Sequence, residues 1–163
     1  IGPTPAHARA VELKNAFESE WENYLKFCVV RNPWTKTVSD YFWRTKKISN
    51  PPSFSDYVTE LVSGQSLGGI IPDNHDNWKT YTIGDTVSVD RFIKFENLEE
   101  DFQDIMSLLG LEWERSLTNS KKNTRNSSGA RFSYKDMYTP GAADQIHDLY
   151  RKEIEFFGYE FPR

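Results

Sequence analysis

The stretch from residue 26 to residue 47 constrains the fold more than any other part of the chain. Four apolar residues in a row, at positions 27–30, predict a short buried strand. Asn32 is a favourable N-cap, and Pro33 suits the first turn of a helix. Apolar residues then recur at the spacing of one helical face, at Trp34, Val38, Tyr41 and Phe42. We therefore expect a strand, a tight turn and a helix that begins at once.

This strand–turn–helix unit suits an anion. The unpaired N–H groups and the positive end of the helix dipole are expected to lie next to Arg31. A second helical face carries Lys36, Ser39, Trp43 and Lys47. Ser39 follows Pro33 by roughly 9 Å, at about 1.5 Å per residue. The sequence therefore predicts that Arg31 and Ser39 hold a phosphate beside the first two turns. The alternative is an ordinary strand–turn–helix unit with no ligand.

The run R-N-P-W-T-K-T-V-S at residues 31–39 resembles a known motif. It is similar to the 3′-phosphate-binding motif of sulfotransferases that use 3′-phosphoadenosine 5′-phosphosulfate (PAPS), above all the Golgi-type and bacterial carbohydrate sulfotransferases. The matching residues are Arg31, Asn32, Pro33, Lys36, Val38 and Ser39. Thr35 and Thr37 are less usual, and Lys36 replaces the commoner arginine. The resemblance implies that Arg31, Lys36 and Ser39 bind the 3′-phosphate of PAPS.

Length and composition are those of a single globular domain over residues 1–163. No apolar run approaches the length of a membrane span, so no transmembrane segment is expected. The net charge of −4 argues against a general nucleic-acid binder. The segment 115–135, however, holds six basic residues and no acidic one, which suits a small polyanionic ligand. The compartment is left open, and is cytoplasmic if the chain is bacterial.

Three chemical signals are weak or absent. The single cysteine, Cys28, lies in the predicted strand, and its apolar setting favours a buried inert thiol over a nucleophile. No cluster of Cys and His has metal-ligand spacing, so no metal is expected. The Gly68-Gly69 pair is not a phosphate loop, because no Lys-Ser/Thr follows it and no strand precedes it.

Three further stretches strengthen the resemblance. The run I-K-F-E-N-L at residues 93–98 follows Asp90-Arg91 and precedes a predicted helix that closes at Gly110, as the family usually shows. The polar, basic stretch 117–133 is similar to the family's loop over the nucleotide. Its implied cofactor contacts are Lys122, Asn123, Thr124 and Arg131. By composition alone the same stretch is a solvated loop. The tail F-F-G-Y-E-F at residues 156–161 is the last likeness.

Histidine offers a candidate for acid–base chemistry. His7 sits in the first turn of a predicted helix from Thr4-Pro5 to about Phe17, where some family members place a general base for the acceptor hydroxyl. Histidine titrates near neutral pH, as this role requires. The alternative is a surface or capping histidine. His75 lies in a glycine-rich loop, residues 65–77, that could shape an acceptor site, and its alternative is a solvent-exposed histidine.

One family element has no counterpart in the chain. The family begins with a strand and a phosphate loop of the K-x-G-G-T-S kind, and nothing between Ile1 and Lys26 resembles it. The corresponding region is expected upstream of Ile1. The chain is then a fragment, a form that has lost this part, or a non-catalytic relative.

The resemblance implies an α/β fold with a mostly parallel sheet flanked by helices. This is the P-loop-kinase-like sulfotransferase fold without its first strand and phosphate loop. It implies transfer of a sulfuryl group from PAPS to a hydroxyl, on a carbohydrate, without a metal. The alternative is a nucleotide-phosphate-binding relative without activity. A nucleotide-dependent phosphotransferase is disfavoured, because the Walker-type lysine and acidic metal ligands are missing.

Overall fold

The computed structural model describes residues 8–71, 75–113 and 133–161. The fold is mixed α/β, with a small parallel sheet, a β-hairpin and several helices. The chain divides into two compact units, residues 1–30 with 76–116 and residues 31–75 with 117–163. A single domain over residues 1–163 stays a prediction. In chain order the described elements are α1 (Ala10–Ala16), β1 (Phe27–Val30), α2 (Pro33–Thr45), α3 (Phe54–Ser63), α4 (Trp78–Tyr81), β2 (Thr82–Ile83), β3 (Thr86–Val87), β4 (Arg91–Lys94), α5 (Leu98–Leu108), α6 (Pro140–Leu149) and α7 (Arg151–Phe157).

The parallel sheet of the first unit joins β1 to β4, with Phe27 opposite Arg91 and Val30 opposite Lys94. The apolar run predicts the first strand, and the apolar pattern over residues 89–95 predicts the second. Both predictions are confirmed. The prediction that β1 is fully buried is wrong. Successive side chains of a strand point to opposite faces, and here Phe27 and Val29, which share a face, are 43% and 51% exposed. Only the face that carries Val30, at 5% exposure, is covered.

The segment before β4 differs from its prediction. The sequence of residues 78–82 suggests a short strand or an extended segment. Instead, Trp78–Tyr81 form one helical turn, and the chain extends only from Thr82. Side chains favour the turn, because the Asp76 carboxylate accepts from the Trp78 N–H at 3.0 Å and the Thr82 hydroxyl donates to the Trp78 carbonyl at 2.6 Å. The hairpin β2–β3 then turns through Gly84, whose φ of +63° suits glycine.

Asp90 joins the beginnings of the two parallel strands. Its carboxylate accepts hydrogen bonds from the Lys26 backbone N–H at 2.8 Å and from Lys26 Nζ at 2.9 Å. The Asp90 N–H in turn donates to the Lys26 carbonyl at 2.8 Å. The backbone hydrogen bond from Lys26, followed by the one from its side chain, lowers the pKa of Asp90 below its ordinary value.

We expect Asp90→Ala to lower the free energy of unfolding by about 1 kcal/mol at pH 7, a value reduced for the partial exposure of the pair. Since the folded pKa lies below the unfolded one, this stabilisation is present above about pH 4 and shrinks as pH falls through the folded pKa. Urea titrations at pH 7 and pH 2.5 measure it. Asp90→Asn keeps a side-chain oxygen that can accept from the Lys26 backbone N–H, so this variant should lose less stability than Asp90→Ala. An equal loss at both pH values would contradict the electrostatic part of this account.

The core of the second unit forms where α2, α3, α6 and α7 contribute aromatic and aliphatic side chains. Its fully buried residues include Val38, Tyr57, Val58 and Ile146. The sequence predicts a helix that is capped by Ser53 or Ser55 and closed by Gly64. Its start is confirmed at Ser53, whose hydroxyl accepts from the Asp56 N–H at 3.1 Å. Its predicted end is confirmed as well, since Gly64 closes the helix at φ +74°.

Apolar spacing at Ile146, Leu149, Tyr150 and Ile154 after Thr139-Pro140 predicts one final helix, but the chain forms two helices here. The predicted start at Thr139-Pro140 is confirmed, because the Thr139 hydroxyl accepts from the Ala142 N–H at 3.2 Å. The continuous helix is wrong, since Tyr150 (φ −110°, ψ 26°) separates α6 from α7. Tyr150 is 6% exposed in the core, and its hydroxyl donates to the His75 carbonyl at 3.4 Å, so tertiary packing holds this break.

Candidate functional site

The start of α2 is built on the side chain of Asn32. Its Oδ1 accepts hydrogen bonds from the N–H groups of Trp34 at 3.1 Å and Thr35 at 3.5 Å. Its Nδ2 donates to the carbonyl of Glu160 at 3.1 Å, and the residue is only 8% exposed. The predicted N-cap and the Pro33 start are therefore confirmed. The expectation that the first amides are unpaired is wrong for these two, because the cap uses both.

Arg31 lies against the first turn of the same helix. Its Nε–H donates to the Thr35 hydroxyl oxygen at 3.0 Å, and that hydroxyl donates to the Asn32 carbonyl at 3.1 Å. Thr35 and Ser39 are four residues apart on α2, so they are neighbours on one helical face. The Nε end of the Arg31 guanidinium is thus held against the face of α2 that carries Ser39. Arg31, Thr35 and Ser39 are all half-buried.

Lys36 has partners from other segments of the second unit. Its Nζ donates to the carbonyl of His75 at 3.3 Å and lies 5.1 Å from the ring centroid of Tyr150. These contacts fix the ammonium group by a carbonyl dipole and an aromatic face. A role of Lys36 in phosphate binding stays a prediction.

The other predicted site residues fall outside the described part of the chain. These are His7, the candidate general base, and Lys122, Asn123, Thr124 and Arg131, the candidate contacts to the nucleotide. Their roles stay predictions.

Cys28 is half-buried in β1, with its Sγ 3.7 Å from the Val29 carbonyl and 3.9 Å from the Thr80 hydroxyl.

Across residues 8–71, 75–113 and 133–161, no three His, Cys, Asp or Glu side chains group as metal ligands do. Over the same ranges, no helix has the length and apolarity needed to cross a membrane.

A groove of about 710 Å³ opens in the second unit beside the start of α2. Aromatic side chains, among them Trp34, Tyr138 and Phe161, form part of its wall. The acidic residues and the histidine that line it are Asp144, Glu160 and His147. This volume falls within the range of small-molecule pockets.

Thr35 is the functional candidate that sequence reasoning missed. Its spacing of four residues from Arg31 was the available signal, since residues at that distance meet where the chain is helical. Arg31, however, precedes the helix, so the contact depends on the backbone that Asn32 and Pro33 set up. That geometry is visible only in the structure.

Comparison with known proteins supports the resemblance. A family model described as "Sulfotransferase family" matches residues 6–160. An uncharacterized protein of Archaeoglobus fulgidus is 35% identical over 92 residues, which are 56% of this chain and 72% of that protein. No solved structure matches the chain. The match to the family model covers nearly the whole sequence, so this chain belongs to the sulfotransferase family.

Proposed function

We propose that this chain serves the transfer of a sulfuryl group from PAPS to a hydroxyl of a carbohydrate. Membership of the sulfotransferase family supports sulfuryl transfer to a hydroxyl-bearing acceptor. PAPS as donor and the carbohydrate acceptor are inferred from the likeness of residues 31–39 to the carbohydrate sulfotransferases. The P-loop-kinase-like plan of the fold is part of the same proposal.

The observation that carries the proposal is the placement of Arg31. Its guanidinium is fixed by Thr35 on the face of α2 that also carries Ser39. A guanidinium can bind a phosphate with two parallel hydrogen bonds, and a serine hydroxyl can donate a third. These groups fit a 3′-phosphate lying beside the first two turns. A phosphate at the helix end is disfavoured, because Asn32 already caps the amides of Trp34 and Thr35.

The residues of the chain would act mainly by positioning and by charge. Arg31 and Ser39 hold the nucleotide by its 3′-phosphate, which fixes the remainder of the molecule relative to α2. Lys36 adds positive charge on the same helix. We assign the removal of the acceptor proton to His7, and further nucleotide contacts to Lys122, Asn123, Thr124 and Arg131. When bound, PAPS supplies the activated sulfuryl group.

A second candidate function is nucleotide-phosphate binding without turnover. It needs only the groups proposed to hold the phosphate, Arg31 and Ser39 on one face of α2, and no group that acts on the sulfuryl centre. The two candidates share the site at Arg31 and differ only in chemistry.

Calorimetry with adenosine 3′,5′-bisphosphate tests the donor site. We expect binding of this nucleotide without added metal, in preference to ATP with Mg²⁺. The opposite preference would overturn the proposal in favour of a phosphotransferase. Incubation with ³⁵S-labelled PAPS and a panel of polysaccharides then separates the two candidates. Label transferred to a polysaccharide supports the enzyme, whereas binding without transfer supports the non-catalytic relative.

A further inference from the structure

The hydroxyl of Thr35 takes part in two hydrogen bonds with opposite directions. It donates its proton to the Asn32 carbonyl at 3.1 Å and accepts from Arg31 Nε–H at 3.0 Å. A hydroxyl has a single proton, so the bond to Asn32 directs an oxygen lone pair toward Arg31. The Thr35 hydroxyl is thereby oriented before any ligand arrives.

This oriented hydroxyl restricts the guanidinium. The bond at Nε fixes the plane of the guanidinium and the direction in which its two terminal nitrogens point. Those terminal nitrogens form the edge that matches two phosphate oxygens. Arginine otherwise loses side-chain freedom when it binds a ligand, and a guanidinium that is already held loses less.

Asn32, whose carbonyl accepts the proton of Thr35, is itself held by several hydrogen bonds. The Asn32 carbonyl also accepts from the Lys36 N–H at 2.9 Å, so the acceptor for the threonine proton belongs to the first turn of α2. Asn32 itself is buried and fixed by its bonds to the Trp34 and Thr35 amides and to the Glu160 carbonyl. The position of Arg31 is therefore set through Thr35 by the fold of the second unit.

We propose that Thr35 is the positioning residue that aims Arg31 at the 3′-phosphate, and that it thereby sets the preference for 3′-phosphorylated nucleotides. This inference rests on the proposed function. Thr35 acts through Arg31, so its removal should weaken only those ligands that carry the 3′-phosphate. Adenosine 5′-monophosphate lacks that group and serves as the matched probe.

The test compares Thr35→Val with Thr35→Ser by calorimetry. Valine keeps the branched shape and removes the hydroxyl, while serine keeps the hydroxyl. We expect Thr35→Val to weaken the binding of adenosine 3′,5′-bisphosphate about 10-fold, the effect of one oriented hydrogen bond. Binding of adenosine 5′-monophosphate should be unchanged, and Thr35→Ser should restore the affinity for the bisphosphate. Thermal unfolding without ligand checks that both variants are folded.

Each other outcome overturns the inference in a distinguishable way. Unchanged bisphosphate affinity in Thr35→Val, with affinity lost in Arg31→Ala, removes the role of Thr35 and leaves the proposed function standing. Equal weakening of both nucleotides assigns Thr35 a purely structural role. Failure of the unaltered protein to bind the bisphosphate overturns the proposed function, and the inference with it.

Discussion

Replacement of Arg31 by alanine is expected to weaken the binding of adenosine 3′,5′-bisphosphate by about 100-fold or more. Two charge-assisted hydrogen bonds to a phosphate are together worth about 3 kcal/mol or more, and each 1.4 kcal/mol corresponds to a tenfold change. The variant should fold, because Arg31 is half-buried at the surface of α2 and lies outside the hydrophobic core. Calorimetry on the variant and the unaltered chain gives the ratio of dissociation constants.

Two controls make the result specific. Arg31→Lys keeps the charge and loses both the forked geometry and the Nε–H that donates to Thr35, so we expect an intermediate affinity. Arg151→Ala removes the same charge from an exposed residue of α7, whose guanidinium pairs with Asp148 at 2.6 Å. Its effect on nucleotide affinity should be small, because surface charges are screened by salt. Equal losses in Arg31→Ala and Arg151→Ala would show that only net charge matters.

Trp34→Ala is expected to produce the largest loss of stability, about 3–5 kcal/mol, as for other large buried aromatic residues. Trp34 is 3% exposed, and its indole Nε1–H donates to the Ala143 carbonyl at 3.0 Å. Its ring lies edge-on to Phe161, with centroids 5.6 Å apart. Truncation would leave a cavity at the start of α2 and remove the hydrogen bond to the Ala143 carbonyl of α6. Urea unfolding, followed by circular dichroism, measures the change.

Trp43 provides a matched control on the same helix. It is 45% exposed, so Trp43→Ala should cost less than about 1 kcal/mol. Trp34→Phe keeps most of the ring and removes the N–H, and about 1–2 kcal/mol should be lost. If the two alanine variants lost equal stability, the assignment of Trp34 to the core that anchors α2 would be refuted.

Local signals predicted those elements whose ends carry strong side-chain preferences. Asn32 with Pro33, Ser53 with Gly64, and Thr139 with Pro140 mark helix ends through caps that act within a few residues. The helical turn at Trp78 and the break at Tyr150 were missed. The break at Tyr150 depends on packing and on a bond to His75, which is 75 residues away in sequence. Local patterns do not contain such partners.

The spacing around the predicted turn and helix makes Arg31 and Ser39 candidates, and the structure places the Arg31 guanidinium against Thr35 on the helical face that carries Ser39. Their role in phosphate binding stays a prediction. The contact to Thr35 was not found, because it requires the path of the backbone through Asn32. Exposure of Phe27 and Val29 was missed for a related reason, since an apolar run does not reveal which face of a sheet is covered.

The bond from Asn32 Nδ2 to the Glu160 carbonyl spans 128 positions of sequence. During translation, α2 therefore leaves the ribosome long before Glu160, whose carbonyl accepts the bond from the side chain of Asn32. The side chain of Asn32 thus gains this bond only after residue 160 has emerged, and contacts between residues so far apart in sequence also slow refolding. A nascent chain halted before residue 160 should accordingly display α2 with an incomplete cap.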